Sequence, residues 1–225
     1  MGRIHLGSIF GTTIAVDLSF LILIAFFVFS YSSPDAFGMP GALLWAPVIF
    51  ISILFHEFAH AAMIGILGHG SSEIVLEGIG GVTINERRSR PWQDMLISAA
   101  GPAASFLLAW IITLIWNNVA YVHADRFFAG LLPLLRYANI LWGFFNLLPV
   151  IPLDGAGVVR NFLRMFLREN TAFVISVWLS IAAAAGVIVW ALMQRQWFIA
   201  LLIGWYGFLS WQRWEFFRQT NRTDI

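Results

Sequence analysis

Six apolar runs, joined by short polar or glycine-rich links, decide the solvent in which this chain folds. They cover Leu18 to Tyr31, Gly41 to Leu67, Trp92 to Ala120, Phe127 to Leu148, Thr171 to Met193 and Trp197 to Phe217. A helix needs about 20 apolar residues to cross the hydrocarbon core of a bilayer, and all but the first run reach that length. The composition gives the same answer: hydrophobic residues make up 60% of the chain and charged residues 11%, against about 25% charge in a soluble domain. A water-soluble protein of this length could not cover so much apolar surface, so lipid is part of its solvent.

The links carry further structure. Residues 3–16 alternate loosely, with Gly7, Gly11 and the β-branched Thr12, Thr13, Ile14 and Val16, and read as a short hairpin ahead of the first span. Residues 73–84 read as two strands around glycines. Leu153 to Leu167 is amphipathic, with Arg160, Arg164 and Arg168 at i, i+4 and i+8, as in a helix lying in the membrane interface. The expected fold is therefore an all-α polytopic membrane protein of about six transmembrane helices, with a small membrane-associated β element near residues 3–16 and 73–84. The chain reads as a single domain over 1–225, with a core over about 1–168 and two further spans over 171–217.

Basic residues orient that arrangement, and all thirteen are arginine. With six spans, ten of them (Arg3, Arg87, Arg88, Arg90, Arg160, Arg164, Arg168, Arg213, Arg218 and Arg222) fall on the side that carries both termini, and Arg126 and Arg195 on the other. Arginine is retained on the cytoplasmic side, so both termini are expected there. A net charge of +1 makes no case for a nucleic-acid partner. Arg136 falls within the fourth span, where it must snorkel, line an aqueous path or pair with an acid such as Asp17 or Asp94. The N-terminus lacks the apolar core and small-residue cleavage site of a signal peptide. Cysteine is absent, which excludes disulfides and thiolate metal ligands and leaves His, Asp and Glu to hold any metal.

His56-Glu57-Phe58-Ala59-His60 supplies those donors inside the second span. Residues i and i+4 share a helix face, so both imidazoles can reach one ion, while Glu57 can approach a water there without being a ligand. Shuffling this composition yields H-E-x-x-H only about 0.003 times per chain, so the motif is not an accident. Three ionisable groups in a span each cost at least about 2.5–3.5 kcal/mol, which calls for a functional reason. At about 1.5 Å per residue from Gly41, His56 lies about 22 Å along the helix, submerged and nearer the cytoplasmic face. Catalytic zinc usually takes three protein ligands, and the best third is Asp154. It follows Pro149 and Pro152, which break the end of the fourth span into extended chain. The spacing alone also allows Asp154 to be the N-cap of a helix over 155–167.

His56-Glu57-x-x-His60, followed by Gly80-Gly81, Ala100-Gly101-Pro102 and Asn146-x-x-Pro149-x-x-Pro152-Leu153-Asp154-Gly155, resembles the site-2 protease family of intramembrane zinc metalloproteases (peptidase family M50). The match in order and spacing covers roughly residues 5–165. The resemblance implies one zinc ion per chain on His56, His60 and Asp154, Glu57 as catalytic base, and Asn146 near the scissile bond. It implies that Gly80, Gly81, Val82, Thr83 and Ile84 help hold an extended substrate. Single-pass transmembrane proteins are the substrates it implies, and hydrolysis of their membrane segments is the activity. The family often continues Asp-Gly-Gly-Arg, whereas this chain reads Asp154-Gly155-Ala156-Gly157, which puts the local turn in question. Regulatory and PDZ domains of relatives are not expected. A zinc transporter or metal-binding channel would also place ligands in a membrane, but has no need of Glu57 between two histidines. A non-catalytic membrane chaperone would need none of His56, Glu57, His60 and Asp154.

Overall fold

The computed structural model describes residues 3–33, 38–85 and 89–220. They fall into two compact units, one built from Met1–Arg88 and Ala100–Phe144, the other from Ser89–Ala99 and Phe145–Ile225. Arg87, Arg88 and Arg222, which entered the charge argument, lie outside the described residues.

The chain opens with strands β1 (Arg3–Ile9) and β2 (Thr12–Asp17), joined by the two residues Phe10 and Gly11, both at positive φ. That is the backbone a tight hairpin turn requires, and glycine supplies half of it without steric cost. Helix α1 (Leu18–Ser30) follows, capped by Asp17, whose carboxylate accepts from the Ser19 amide at 2.9 Å and the Ser19 hydroxyl at 2.5 Å. Those two bonds, the side-chain one foremost, hold the Asp17 carboxyl below the usual carboxylate range. Helices α2 (Gly38–Ala42) and α3 (Trp45–Ile66) lead to β3 (Ser72–Glu77) and β4 (Gly80–Ile84), then α4 (Pro91–Asn118), α5 (Tyr121–Ala124) and α6 (Arg126–Asn146).

The two hairpins expected from the sequence are one sheet, in the order β1-β2-β3-β4. Its central pair is parallel, with Thr12 opposite Ser72 and Val16 opposite Leu76. A parallel neighbour needs a long crossover, and here α1 to α3 provide it. The central strands carry Ile14, Ala15, Ile74, Val75 and Leu76 into the core, whereas every residue of β1 is exposed and the hairpin tip Phe10 is 95% exposed. Phe20, Val48, Ile53 and Leu76 pack together with Leu131 and Leu135 of α6.

In the second unit the chain runs from the end of α6 through Pro149 and Pro152 into α7 (Asp154–Arg164), α8 (Glu169–Met193) and α9 (Trp197–Thr220). Val150 and Leu153 pack with Ala184, Ile203 and Tyr206, and Ile151 and Ala156 with Val177. The turn questioned at Ala156-Gly157 is ordinary helix, with Ala156 buried. Helix α7 ends at Arg164, so the arginine stripe stops there: Arg168 is the N-cap of α8. Arg160 and Arg164 both bond Glu169, at 2.7 and 2.5 Å, and Arg164 also reaches Asp94 at 3.1 Å. Of the acids suggested for Arg136, Asp17 caps α1 and Asp94 pairs with Arg164; Arg136 itself is exposed, as a snorkelling side chain is.

Among the described residues, four helical segments are long and apolar enough to cross a membrane: Gly38–Ile66, Pro91–Asn118, Arg126–Asn146 and Glu169–Met193. Their exposed faces carry large apolar side chains such as Trp110, Leu114 and Trp190, as lipid-facing helices do. The protein is therefore an integral membrane protein. Six apolar runs gave the count of six, but α1 has only 13 residues, about 20 Å of helix against about 30 Å of hydrocarbon. Helix α9 has the length, with 24 residues, but its tryptophans and Gln212-Arg213 dilute its apolar character.

Candidate metal centre

Helix α3 is apolar around nearly its whole circumference, and one stripe of it is polar. Ser52, His56 and His60 repeat at i, i+4 and i+8, and all are buried. Ser52 accepts from the Asn139 amide at 2.9 Å. His56 is 2% exposed, Glu57 5% and His60 6%. One potential ligand atom from each of these three lies within 4.8 Å of the others. Ionisable groups so deep in an apolar helix require partners, and several are visible.

The two imidazoles present Nε2 to Nε2 at 3.2 Å. Two nitrogens bound to one tetrahedral zinc at about 2.0–2.1 Å stand about 3.3–3.4 Å apart, so the pair already has the spacing of one edge of such a site. The other nitrogen of His56, Nδ1, lies 3.0 Å from the Ser105 hydroxyl. With Nδ1–H donated to that oxygen, the Nε2 lone pair faces the space between the rings, as a ligating histidine needs. That space is kept open by Gly101, because a Cβ there would collide with Nε2 of both histidines. Gly101 and Ser105 are four residues apart on α4 and so share the face turned towards α3. The donor set, the spacing and the cradle fit zinc.

Glu57 is held from the other side by the sheet. The Thr83 hydroxyl lies 2.8 Å from Glu57 Oε2 and 3.1 Å from the Glu57 carbonyl oxygen. Gly81, two residues earlier on the same face of β4, has no Cβ to strike the Glu57 side chain, and one added there would overlap Cγ. All five residues expected to hold substrate, Gly80, Gly81, Val82, Thr83 and Ile84, form β4, which pairs with β3 alone among the described strands.

Asn146 and Asp154 stand in the second unit. Asn146 is the last residue of α6 and is 8% exposed; Asp154 is the first residue of α7 and is partly buried. The N-cap position belongs to Leu153, so Asp154 stands one residue inside the helix. The backbone around Asp154 is fixed tightly. Gly155 lies against the carbonyls of Leu147 and Leu148 so closely that any Cβ would overlap them. The Ile151 amide, freed by the break after α6, donates to the Ser180 hydroxyl of α8 at 2.9 Å, and Ser180 shares a 2.8 Å hydrogen bond with Ser210 of α9. Both serines are fully buried. Ser180→Ala strands that amide, which costs about 1–3 kcal/mol; we expect a lower unfolding temperature in detergent, measurable by thermal aggregation, with Ser210→Ala milder.

Sequence reasoning missed Ser105 altogether and saw Gly101 and Thr83 only through the family pattern. The i, i+4 spacing of Gly101 and Ser105 was the available signal. No periodicity in α4 or β4 could have shown that they face α3.

A model of the Peptidase M50B-like family matches residues 19–159. "Putative zinc metalloprotease" is the name of two similar proteins: sll0528 of Synechocystis sp., 28% identical over 91% of this chain and 57% of that one, and Rip3 of Mycobacterium tuberculosis, 32% identical over 71% of this chain and 43% of that one. The chain thus spans about half the length of these relatives. Among solved structures, the Site-2 Protease from Methanocaldococcus jannaschii superposes with a TM-score of 0.66 over 94% of each chain at 21% identity, and so shares the fold. With most of the chain matched by the family model and the paired histidines on a membrane helix, the chain belongs to the Peptidase M50B-like family.

Proposed function

We propose that this protein is an intramembrane zinc metalloendopeptidase that hydrolyses peptide bonds in or beside the transmembrane segment of single-pass membrane proteins. One observation carries the reading: the buried His56, Glu57 and His60 converge within an apolar membrane helix, with both Nε2 atoms facing a space that Gly101 leaves open. Such a group is costly in lipid unless it binds a metal.

One zinc ion per chain would be held by His56, His60 and Asp154. Bound zinc supplies a Lewis acid that makes water acidic near neutral pH and polarises a carbonyl. Glu57 takes the proton from the attacking water as the water oxygen bonds the peptide carbon, and returns it to the amine as the C–N bond breaks. The Asn146 amide donates to the carbonyl oxygen while negative charge gathers on it. A transmembrane substrate must unwind before its peptide bonds can be attacked, since a helix encloses them. The open edge of β4 offers an unwound segment a partner by strand addition. The six-span arrangement, with α1 and α9 added to the four apolar segments named above, puts both termini in the cytoplasm and the centre nearer that face. The whole chain acts as one membrane domain.

The test is metal analysis of the purified protein beside a cleavage assay on a panel of single-span substrates. Wild type is expected to carry about one zinc per chain and to cut at least one substrate. Asp154→Asn is expected to lose most of the metal, because two imidazoles alone leave the site a ligand short. Full metal occupancy in that variant would remove Asp154 from the ligand set.

A further inference from the structure

We propose that Thr83 is the positioning residue of the base: its hydroxyl, carried on the edge strand, fixes the Glu57 carboxylate. The proposal rests on the reading of Glu57 as the base. Glutamate has three side-chain torsions, and a base that wanders loses rate steeply, since a misplacement of about 1 Å can cost about a hundredfold. One constraint on Glu57 comes from β4. The Thr83 hydroxyl is 2.8 Å from Oε2 and 3.1 Å from the main-chain oxygen of the same glutamate. It has one proton, and the ionised Oε2, the nearer of its two acceptors, is the stronger claim on it.

The rest of the strand serves the same contact. The burial of β4 alternates: Gly81 and Thr83 are partly buried on the Glu57 side, while Val82 and Ile84 are exposed. Gly81 brings the strand close enough for a hydroxyl as short as threonine's to reach the carboxylate. Since β4 is an edge strand among the described strands, the strand that offers itself to an extended peptide is also the one that holds the base. Thr83 contributes to catalytic rate, not to substrate affinity.

Thr83→Val keeps the shape and removes the donor; Thr83→Ser keeps the donor. Kinetics with a cleavable single-span substrate in detergent should show kcat about 10–100-fold lower in Thr83→Val, with KM and zinc content within about twofold of wild type, and at least half the rate restored in Thr83→Ser. On a Glu57→Gln background, Thr83→Val should remove nothing more. A wild-type kcat in Thr83→Val, or a raised KM at unchanged kcat, overturns the proposal. An independent reading needs no turnover: with ¹³C-labelled glutamate, the infrared carboxylate band that disappears in Glu57→Gln should shift in Thr83→Val and stay in place in Thr83→Ser. An unshifted band overturns the contact itself. A wild-type protein that cleaves no substrate sinks the peptidase reading, and the band then decides the Thr83 contact alone.

Discussion

Glu57→Gln should bind zinc as wild type does and hydrolyse peptide about 10²–10⁴-fold more slowly, the range that a positioned acid–base group contributes. The substitution is nearly isosteric, and the neighbours that define the pocket, Gly81 and Thr83 on β4, can still pack against an amide. What it removes is the ability to accept a proton from water and hand it on. Zinc content and cleavage therefore separate in this variant, whereas changes to His56, His60 or Asp154 should lower both. Zinc per chain from elemental analysis, set against the rate on one substrate, checks the separation. A Glu57→Gln protein that cleaves at the wild-type rate would exclude the carboxylate from the chemistry.

Gly101→Ala should abolish the metal centre without touching a ligand. The added methyl falls on Nε2 of both His56 and His60, the atoms that must converge on the ion. Because α4 presents this position from its backbone, no side chain can swing aside, and relief requires the two helices to part or both rings to turn. Turning His56 gives up its contact with Ser105. Overpacking of this kind costs about 1–3 kcal/mol in stability, and zinc occupancy should fall to near background. Gly204→Ala is the control, since a methyl there meets nothing within 4 Å. The comparison is metal content and cleavage of the two variants purified side by side. Normal zinc in Gly101→Ala would place the ion elsewhere.

The membrane helices were legible because hydrophobic runs are set by the thickness of lipid rather than by tertiary contacts: α4, α6 and α8 begin and end within about two residues of the expected spans. The histidine pair was legible for a related reason, since i, i+4 geometry is internal to one helix. What escaped was the pairing of elements distant in the chain. Thr12 and Ser72 stand opposite each other across sixty residues, and nothing in either hairpin announces a parallel partner. Ser105 was missed for the same reason, being 49 residues from the imidazole it supports. Ser180 and Ser210 look like ordinary small residues of apolar helices until the broken backbone at Ile151 is seen to need a hydrogen-bond acceptor. The first run, already short in the sequence, is a helix of 13 residues.

The two-residue link at Gly78 and Ile79 sets more than a turn. Glu77 pairs with Gly80 and Glu73 with Ile84, and a strand displaced by one position exchanges its two faces. One extra residue in that link would bring Val82, an aliphatic side chain with no proton to give, to the place where Thr83 meets Glu57. The length of this link is thus a gauge for the chemistry. An insertion there that shifts the strand by one position would cost the Thr83 contact with no residue of the centre changed.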